Sequence, residues 1–149
     1  MRWASRTELR RVLAVCAVWP GIGQAKTVVA FANPLSESVL ESCARVVFHE
    51  RGLPSPELQV AIFGDGGRAI ARVDFFWRAY GVVAEADGLL KYQSGADAIA
   101  ELKRDRLMRE QGLEVIHFTW EELFRTPELV VSRIRAAFDR AHRLSKPAD

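Results

Sequence analysis

The run from residue 57 to residue 88, ELQVAIFGDGGRAIARVDFFWRAYGVVAEADG, decides how the chain is read. Its first part, Glu57 to Phe63, is short, rich in β-forming residues and bounded by Pro56 and by the tight-turn signal GDGG. RAIARVDFFW and YGVVAEAD continue in the same period and are separated by a few residues around Arg78-Ala79. Three sequential strands joined by short turns make an antiparallel meander. Acidic residues interrupt the apolar runs of the last two strands: Asp74 in the first, Glu85 and Asp87 in the second. Val73, Phe75, Val82 and Val83 mark these strands as internal, where an unpaired carboxylate is expensive.

On either side the period becomes helical. RTELRRVLAVCAVW, with Thr7 as its expected N-cap, reads as an amphipathic helix stopped by Pro20-Gly21. A second helix, GQAKTVVAFA, ends at Asn33-Pro34, and Ser36 opens a third that closes at Gly52. The expected core stripe of this third helix is Val39, Leu40, Cys43, Val46 and Val47. After Gly88 a polar segment leads to a helix from about Ala96 to Gln111. LEVIHFTW follows as a fourth strand, which a helical crossover can place parallel to its neighbour. Thr126-Pro127 starts a last helix with Leu129, Val130, Ile134, Ala137 and Phe138 inward. The expectation is an α/β (α+β) fold: a mixed sheet of a three-strand antiparallel meander plus a parallel strand, flanked by helices. Residues 1–35 read as a helical extension, 36–144 as the main domain and 145–149 as a frayed tail.

Composition narrows the class without fixing a function. A chain of 149 residues, 49% hydrophobic and 27% charged, suits one soluble domain with a real core. Cys16 and Cys43 lie in apolar helical patterns and are expected to be small, reduced core residues. No apolar run approaches the roughly 18 residues of a membrane span, and the arginine-bearing N-terminus lacks the apolar core of a signal peptide. A cytoplasmic protein is the expectation. The net charge is only +2, but basic residues cluster in three places: Arg2 to Arg11, Lys103 to Arg109, and Arg133 to Lys146. Such clusters are either solvated helix faces or phosphate-facing surfaces.

The acids carry the more specific signal. Residues two apart on a strand share a face, so Glu85 and Asp87 project to one side. Asp74 can sit at a similar level on the adjacent strand. On the helix before the meander, Glu37, Glu41 and Arg45 share a face, and Glu41 can approach the same point. Converging carboxylates repel one another unless a divalent cation sits between them. Hard oxygen donors of this kind suit Mg²⁺ or Mn²⁺, which is how proteins activate water against phosphodiesters.

An acidic helix, an Asp in the second strand of a meander and an acidic element in the third together resemble the outline of the PD-(D/E)XK, or restriction endonuclease-like, superfamily. More narrowly, SESVLESCARVVFHERGLPSPELQVAI, RVDFFW, AEADGLLKY and ELKRDRLMREQGLEVIHFTWEEL are similar to a family of uncharacterised bacterial domains related to very-short-patch repair (Vsr) endonucleases. Such domains often occur in chains of the AbiEi-like type IV antitoxin kind. The resemblance spans roughly Trp19 to Phe138. It implies Asp74 as the central metal-binding aspartate, Glu85 as the second acidic ligand and Glu41 as the helix acid that assists. Gln59 matches a first-strand glutamine that orients a ligand or a water. Asp87 stands where the superfamily has its lysine, and Lys91 is the residue able to return an ammonium to the site. The resemblance further suggests that Lys103 or Arg104 faces the scissile phosphate or the acidic cluster.

The function implied is a Mg²⁺- or Mn²⁺-dependent endonuclease acting on DNA in repair, restriction or defence. The alternative is a catalytically silent nuclease-fold module that binds a protein partner or its own copy in a toxin–antitoxin type protein. His117 on the fourth strand is read as a satisfied sheet histidine, and Trp77 and Trp120 as packing residues.

Overall fold

In the computed structural model, which describes residues 4–88 and 95–144, short polar side chains cap several of the helices. Ser5 caps α1 (Arg6–Val15) through a reciprocal pair with Glu8, two residues before the expected Thr7. Gly21, at φ 80°, leads into α2 (Ile22–Phe31). Arg6 Nη2 donates to the carbonyls of Ala30 and Ala32, both at 2.7 Å, and so satisfies the open end of α2. These helices belong to a first compact unit that ends at Pro34, and neither contains a buried residue.

The second unit begins at Leu35 and holds the sheet. Ser38, not Ser36, caps α3 (Val39–Glu50), its side chain accepting from the Glu41 amide. The buried stripe is Leu40, Glu41, Ala44 and Phe48, while Val39 and Val46 are exposed. The helix is thus turned relative to the expected stripe. A Leu40–Ala44–Phe48 line at i, i+4, i+8 places the large ring in the core, and Glu41 turns inward with it. Cys43 and Val47 are only partly buried, and both cysteines are free thiols.

Strand β1 (Glu57–Phe63) pairs antiparallel with β2 (Ala69–Trp77), and β2 with β3 (Val82–Asp87). Helix α4 (Gly95–Glu110) crosses over to β4 (Glu114–Thr119), which lies parallel to β3. The sheet order is β1-β2-β3-β4. This is the mixed sheet flanked by helices that the sequence pattern implies. Two elements close the chain: α5 (Trp120–Arg125) and α6 (Pro127–Leu144).

Helix α5 was hidden in a segment read partly as strand. Thr119 and Glu122 form a capping box that starts it at once after β4. Leu129, expected inside, is exposed, whereas Val130, Ile134, Ala137 and Phe138 are buried as read.

Each face of the sheet has its own core. One packs Phe48, Phe75, Trp77, Phe118 and Phe138 beneath α3, α5 and α6. Phe48 meets Phe75, Trp77 and Phe118 with ring centroids 5.4, 5.5 and 5.8 Å away. Such aromatic contacts add about 0.5–1.5 kcal/mol each beyond burial. Trp77 Nε1 donates to the Pro54 carbonyl at 2.6 Å, so the indole is buried without an orphaned donor. The other face packs Ile62, Val73, Phe76, Val83, Met108 and Val115. Met108 is the contribution of α4 to this core.

Candidate functional site

Four charged side chains are buried among the described residues, and all are carboxylates: Glu41, Glu85, Asp87 and Asp105. Buried charge is costly, so the structure must pair each one. How it does so defines the site.

The first feature is a fork in the sheet. The β2–β3 ladder runs through Trp77↔Val82 and Phe76↔Val83 to Phe75↔Ala84 and ends there. The next rung would set Asp74 opposite Glu85. Instead, Asp74 Oδ2 accepts the Ala86 amide at 2.9 Å, a side chain taking the place of a ladder carbonyl. The β3–β4 ladder continues through Glu85↔His117 to Asp87↔Thr119. Strand β3 therefore leaves β2 and stays with β4, with Asp74 and Glu85 at the branch.

A backbone device in β1 makes room for this. Gln59 has φ 54°, the one positive value at a non-glycine among the described residues. The register passes through it unbroken, from Leu58↔Phe75 to Val60↔Val73. Yet Leu58 and Phe75 pack on one face of the sheet, Val60 and Val73 on the other. Residues two apart ordinarily share a face, so both strands roll over at Gln59 and Asp74. The Gln59 side chain holds this roll: its Nε2 donates to Asp74 Oδ1 at 3.2 Å and to Glu41 Oε2 at 3.0 Å. Glu41 Oε2 also accepts the Glu37 amide at 2.8 Å, and Glu37 takes a two-pronged bond from Arg72 at 2.7 and 2.6 Å. Asp74, Gln59 and Glu41, all expected at the site, are thus brought together.

The second feature belongs to α4. Its apolar residues Ile99, Leu102 and Leu107 are exposed. Asp105 and Met108 are buried, and Glu101 and Arg104 are half-buried beside them. This stripe, at i, i+3, i+4 and i+7, is polar except for Met108. Arg104 Nη2 bridges Glu85 Oε2 at 2.6 Å and Glu101 Oε1 at 3.2 Å. One guanidinium nitrogen therefore links a strand carboxylate and a helix carboxylate.

His117 lies at the centre of the same cluster. Its Nε2 is 2.9 Å from Asp105 Oδ2, and its Nδ1 is 3.2 Å from Asp87 Oδ2 and 3.9 Å from Glu101 Oε1. Arg109 Nη2 stands 3.6 Å from the same Asp105 oxygen. The hydrogen bond to Asp87, with the charges of Asp87 and Asp105, outweighs burial and pushes the imidazole up from 6.5 to about 9. At neutral pH His117 is a cation donating from both nitrogens. It is a satisfied histidine, and at the same time the hub of three carboxylates.

The expected metal set was Asp74, Glu85 and Asp87. The group whose donor atoms converge is different: Glu85, Glu101 and His117, with one ligand atom from each, all within 4.8 Å of one another. Asp74 is engaged from the side of Gln59 and Glu41, and Asp87 by His117, so neither belongs to that group. Oxygen and imidazole donors at this spacing could hold a single divalent ion, and Glu85 is common to the expected set and this group. Sequence reading missed Glu101, Asp105 and His117 as site residues. The available signal was the i, i+4 pair Glu101/Asp105 continuing to buried Met108.

The remaining candidates fare differently. Lys103 is exposed on α4, and Lys91 lies outside the described residues, as does the 145–149 tail. Several clustered arginines are engaged within the chain: Arg106 with Glu110, Arg133 with Glu122 and Arg140 with Glu114. Among the described residues no helix is long and apolar enough to cross a membrane.

Against known sequences, the chain is similar to two curated proteins of Mycobacterium tuberculosis. These are the uncharacterized protein MT2308 of strain CDC 1551 / Oshkosh and the uncharacterized protein Rv2248 of strain ATCC 25618 / H37Rv. Each is 32% identical over 137 residues, which is 92% of this chain and 50% of the relative. The chain thus spans about half the length of the curated relatives it matches. No family model and no solved structure matches it.

Proposed function

We propose that the unit from Leu35 onward is a DNA-directed, metal-dependent endonuclease-like domain of the PD-(D/E)XK kind, related to very-short-patch repair enzymes. The observation that supports this most is the fork between β2 and β3, which sets Asp74 and Glu85 on neighbouring strands where their ladder ends. At the fork the Ala86 amide turns to the Asp74 carboxylate in place of a ladder carbonyl, and Glu85 stands on the neighbouring strand. Asp74 accepts and orients, held in place by Gln59 and the Ala86 amide. Glu41 shares the Gln59 amide and fixes the helix against the fork. Arg104 brings a cation to Glu85, and in this reading it is the group that meets a phosphate. When bound, a divalent cation supplies Lewis acidity toward a phosphodiester oxygen and a more acidic water.

One observation favours a second reading. Asp87 occupies the superfamily's lysine position, and Arg104 and His117 already answer the buried acids. A domain neutralised in this way suits a catalytically silent module that binds DNA or a protein partner in a toxin–antitoxin type protein.

Incubating plasmid DNA with Mg²⁺ or Mn²⁺ separates the two. Cleavage by the native protein, reduced roughly 100-fold or more in Asp74→Asn and Glu85→Gln, is the expected result. DNA binding without cleavage by the native protein replaces this reading with the silent module, and equal cleavage by Asp74→Asn removes Asp74 from the chemistry.

A further inference from the structure

Helix α4 poses a physical question that the nuclease reading leaves open. It leaves Ile99, Leu102 and Leu107 in solvent and turns Glu101, Arg104 and Asp105 onto the sheet. Exchanging available apolar burial for charge burial is unfavourable unless the buried acids are answered by a cation, the place that Arg104 and His117 take here.

Glu85, Glu101 and His117 each bring one ligand atom within 4.8 Å of the others. The bridge between the two glutamates is a cation already, Arg104 Nη2. His117 is held as a ligating histidine often is: its Nε2 meets a carboxylate, Asp105 at 2.9 Å, while Nδ1 meets Asp87 at 3.2 Å and has Glu101 next nearest at 3.9 Å. Asp105 is more than nine-tenths buried, in contact with the ring, and its Oδ1 has no hydrogen-bond partner among the described residues.

We propose that Glu85, Glu101 and His117 Nδ1 form a site for one divalent metal ion of the imidazole-accepting class, Zn²⁺ or Mn²⁺ rather than Mg²⁺ or Ca²⁺. Arg104 is the internal cation that the ion displaces. Two carboxylates alone favour hard ions, and the ring nitrogen shifts the preference toward Zn²⁺. Binding releases the proton from His117 Nδ1 to solvent, and Asp87 gives up its bond to that atom. The site differs from the Asp74-centred one that the family resemblance implies, and it stands whether or not the domain cuts DNA.

The test is calorimetric titration of the chelator-treated full chain with ZnCl₂, MnCl₂ and MgCl₂ at neutral pH. One equivalent of Zn²⁺ should bind, and Mg²⁺ should not compete with it. Glu101→Gln and His117→Gln should each weaken Zn²⁺ at least about 10-fold, and Asp105→Asn, which only orients the ring, by roughly 10- to 100-fold. Arg104→Met should tighten it, and Asp74→Asn should leave it unchanged. Because a variant can lose its fold, the ring nitrogens of the native protein are also read by ¹⁵N NMR. Zn²⁺ should move the Nδ1 resonance of His117 and leave its Nε2 hydrogen-bonded. No Zn²⁺ binding by the native chain or by Arg104→Met overturns the proposal, as does an unmoved His117 resonance. A loss on Asp74→Asn equal to that on Glu101→Gln overturns it too, by placing the ion at the fork. Zn²⁺ binding with no DNA cleavage would leave this site standing and remove the nuclease reading alone.

Discussion

His117 shows how one side chain couples the site to the stability of the fold. In the unfolded chain it titrates near 6.5, and in the fold Asp87 and Asp105 push it up to about 9. A raised value means that the folded state holds the proton more tightly. Its contribution is therefore complete below about pH 6.5 and is lost as pH rises through about 9. The contribution is roughly 3 kcal/mol at most. Urea midpoints of the metal-free protein should fall between pH 6.5 and 9, and His117→Gln should be less stable at pH 6 and flat across that window. A native protein with no slope there would mean that the Asp87 contact does not persist in solution. The sequence made part of this site legible. Asp74 and Glu41 were readable because strand pairing and helical spacing already pointed them at one place, and Gln59 only through the family resemblance. His117, Glu101 and Asp105 were not, because their roles exist only once α4 lies across β3 and β4, a contact that no local pattern encodes. A histidine between Ile116 and Phe118 reads as a packing residue until the carboxylates of another element surround it.

At the level of elements, the roll at Gln59 is the feature on which the fork depends. A non-glycine residue at φ 54° carries backbone strain of about 1–2 kcal/mol, and two side-chain hydrogen bonds offset it. Gln59→Ala keeps the strain and removes the bonds, leaving buried Glu41 short of a donor, and should cost about 2 kcal/mol or more. Gln59→Gly removes the bonds but relieves the strain, and should be about 1 kcal/mol more stable than Gln59→Ala. This reverses the order expected in an ordinary strand, where glycine is the weaker residue. Urea unfolding of the pair decides it, and an Ala variant more stable than the Gly variant would remove the strained roll. The elements themselves were largely legible: GDGG and the break at Arg78-Ala79 delimit the meander, and the α4 crossover dictates a parallel β4. What escaped was rotation and joining. The α3 stripe was misplaced because Val39 and Val46 are as apolar as the residues that were buried, and ring packing around Phe48 chose between them. Helix α5 escaped although Thr119-x-x-Glu122 spells its cap, because the apolar alternation of β4 runs directly into it.

For the molecule as a whole, stability lies in one unit and depends on the aromatic core beneath α3, α5 and α6. The helices of the unit ending at Pro34 bury no residue, whereas the unit from Leu35 contains both cores and all four buried carboxylates. Two consequences follow from the same distribution. Phe48→Ala removes a ring that touches three other aromatics and should cost about 3–5 kcal/mol. That is a large part of the roughly 5–15 kcal/mol a domain has in total, so a steep fall in thermal midpoint is expected. A chain beginning at Leu35 should behave in the opposite way. It keeps both cores and all four buried carboxylates, so a near-ultraviolet signal from packed aromatics should persist and its urea midpoint should stay close to that of the full chain. Its denaturant slope should drop only slightly, since slope follows the surface exposed on unfolding. A shortened chain that loses the near-ultraviolet signal would show that the sheet unit does not hold its packing alone, and the two units would then have to be counted as one cooperative body.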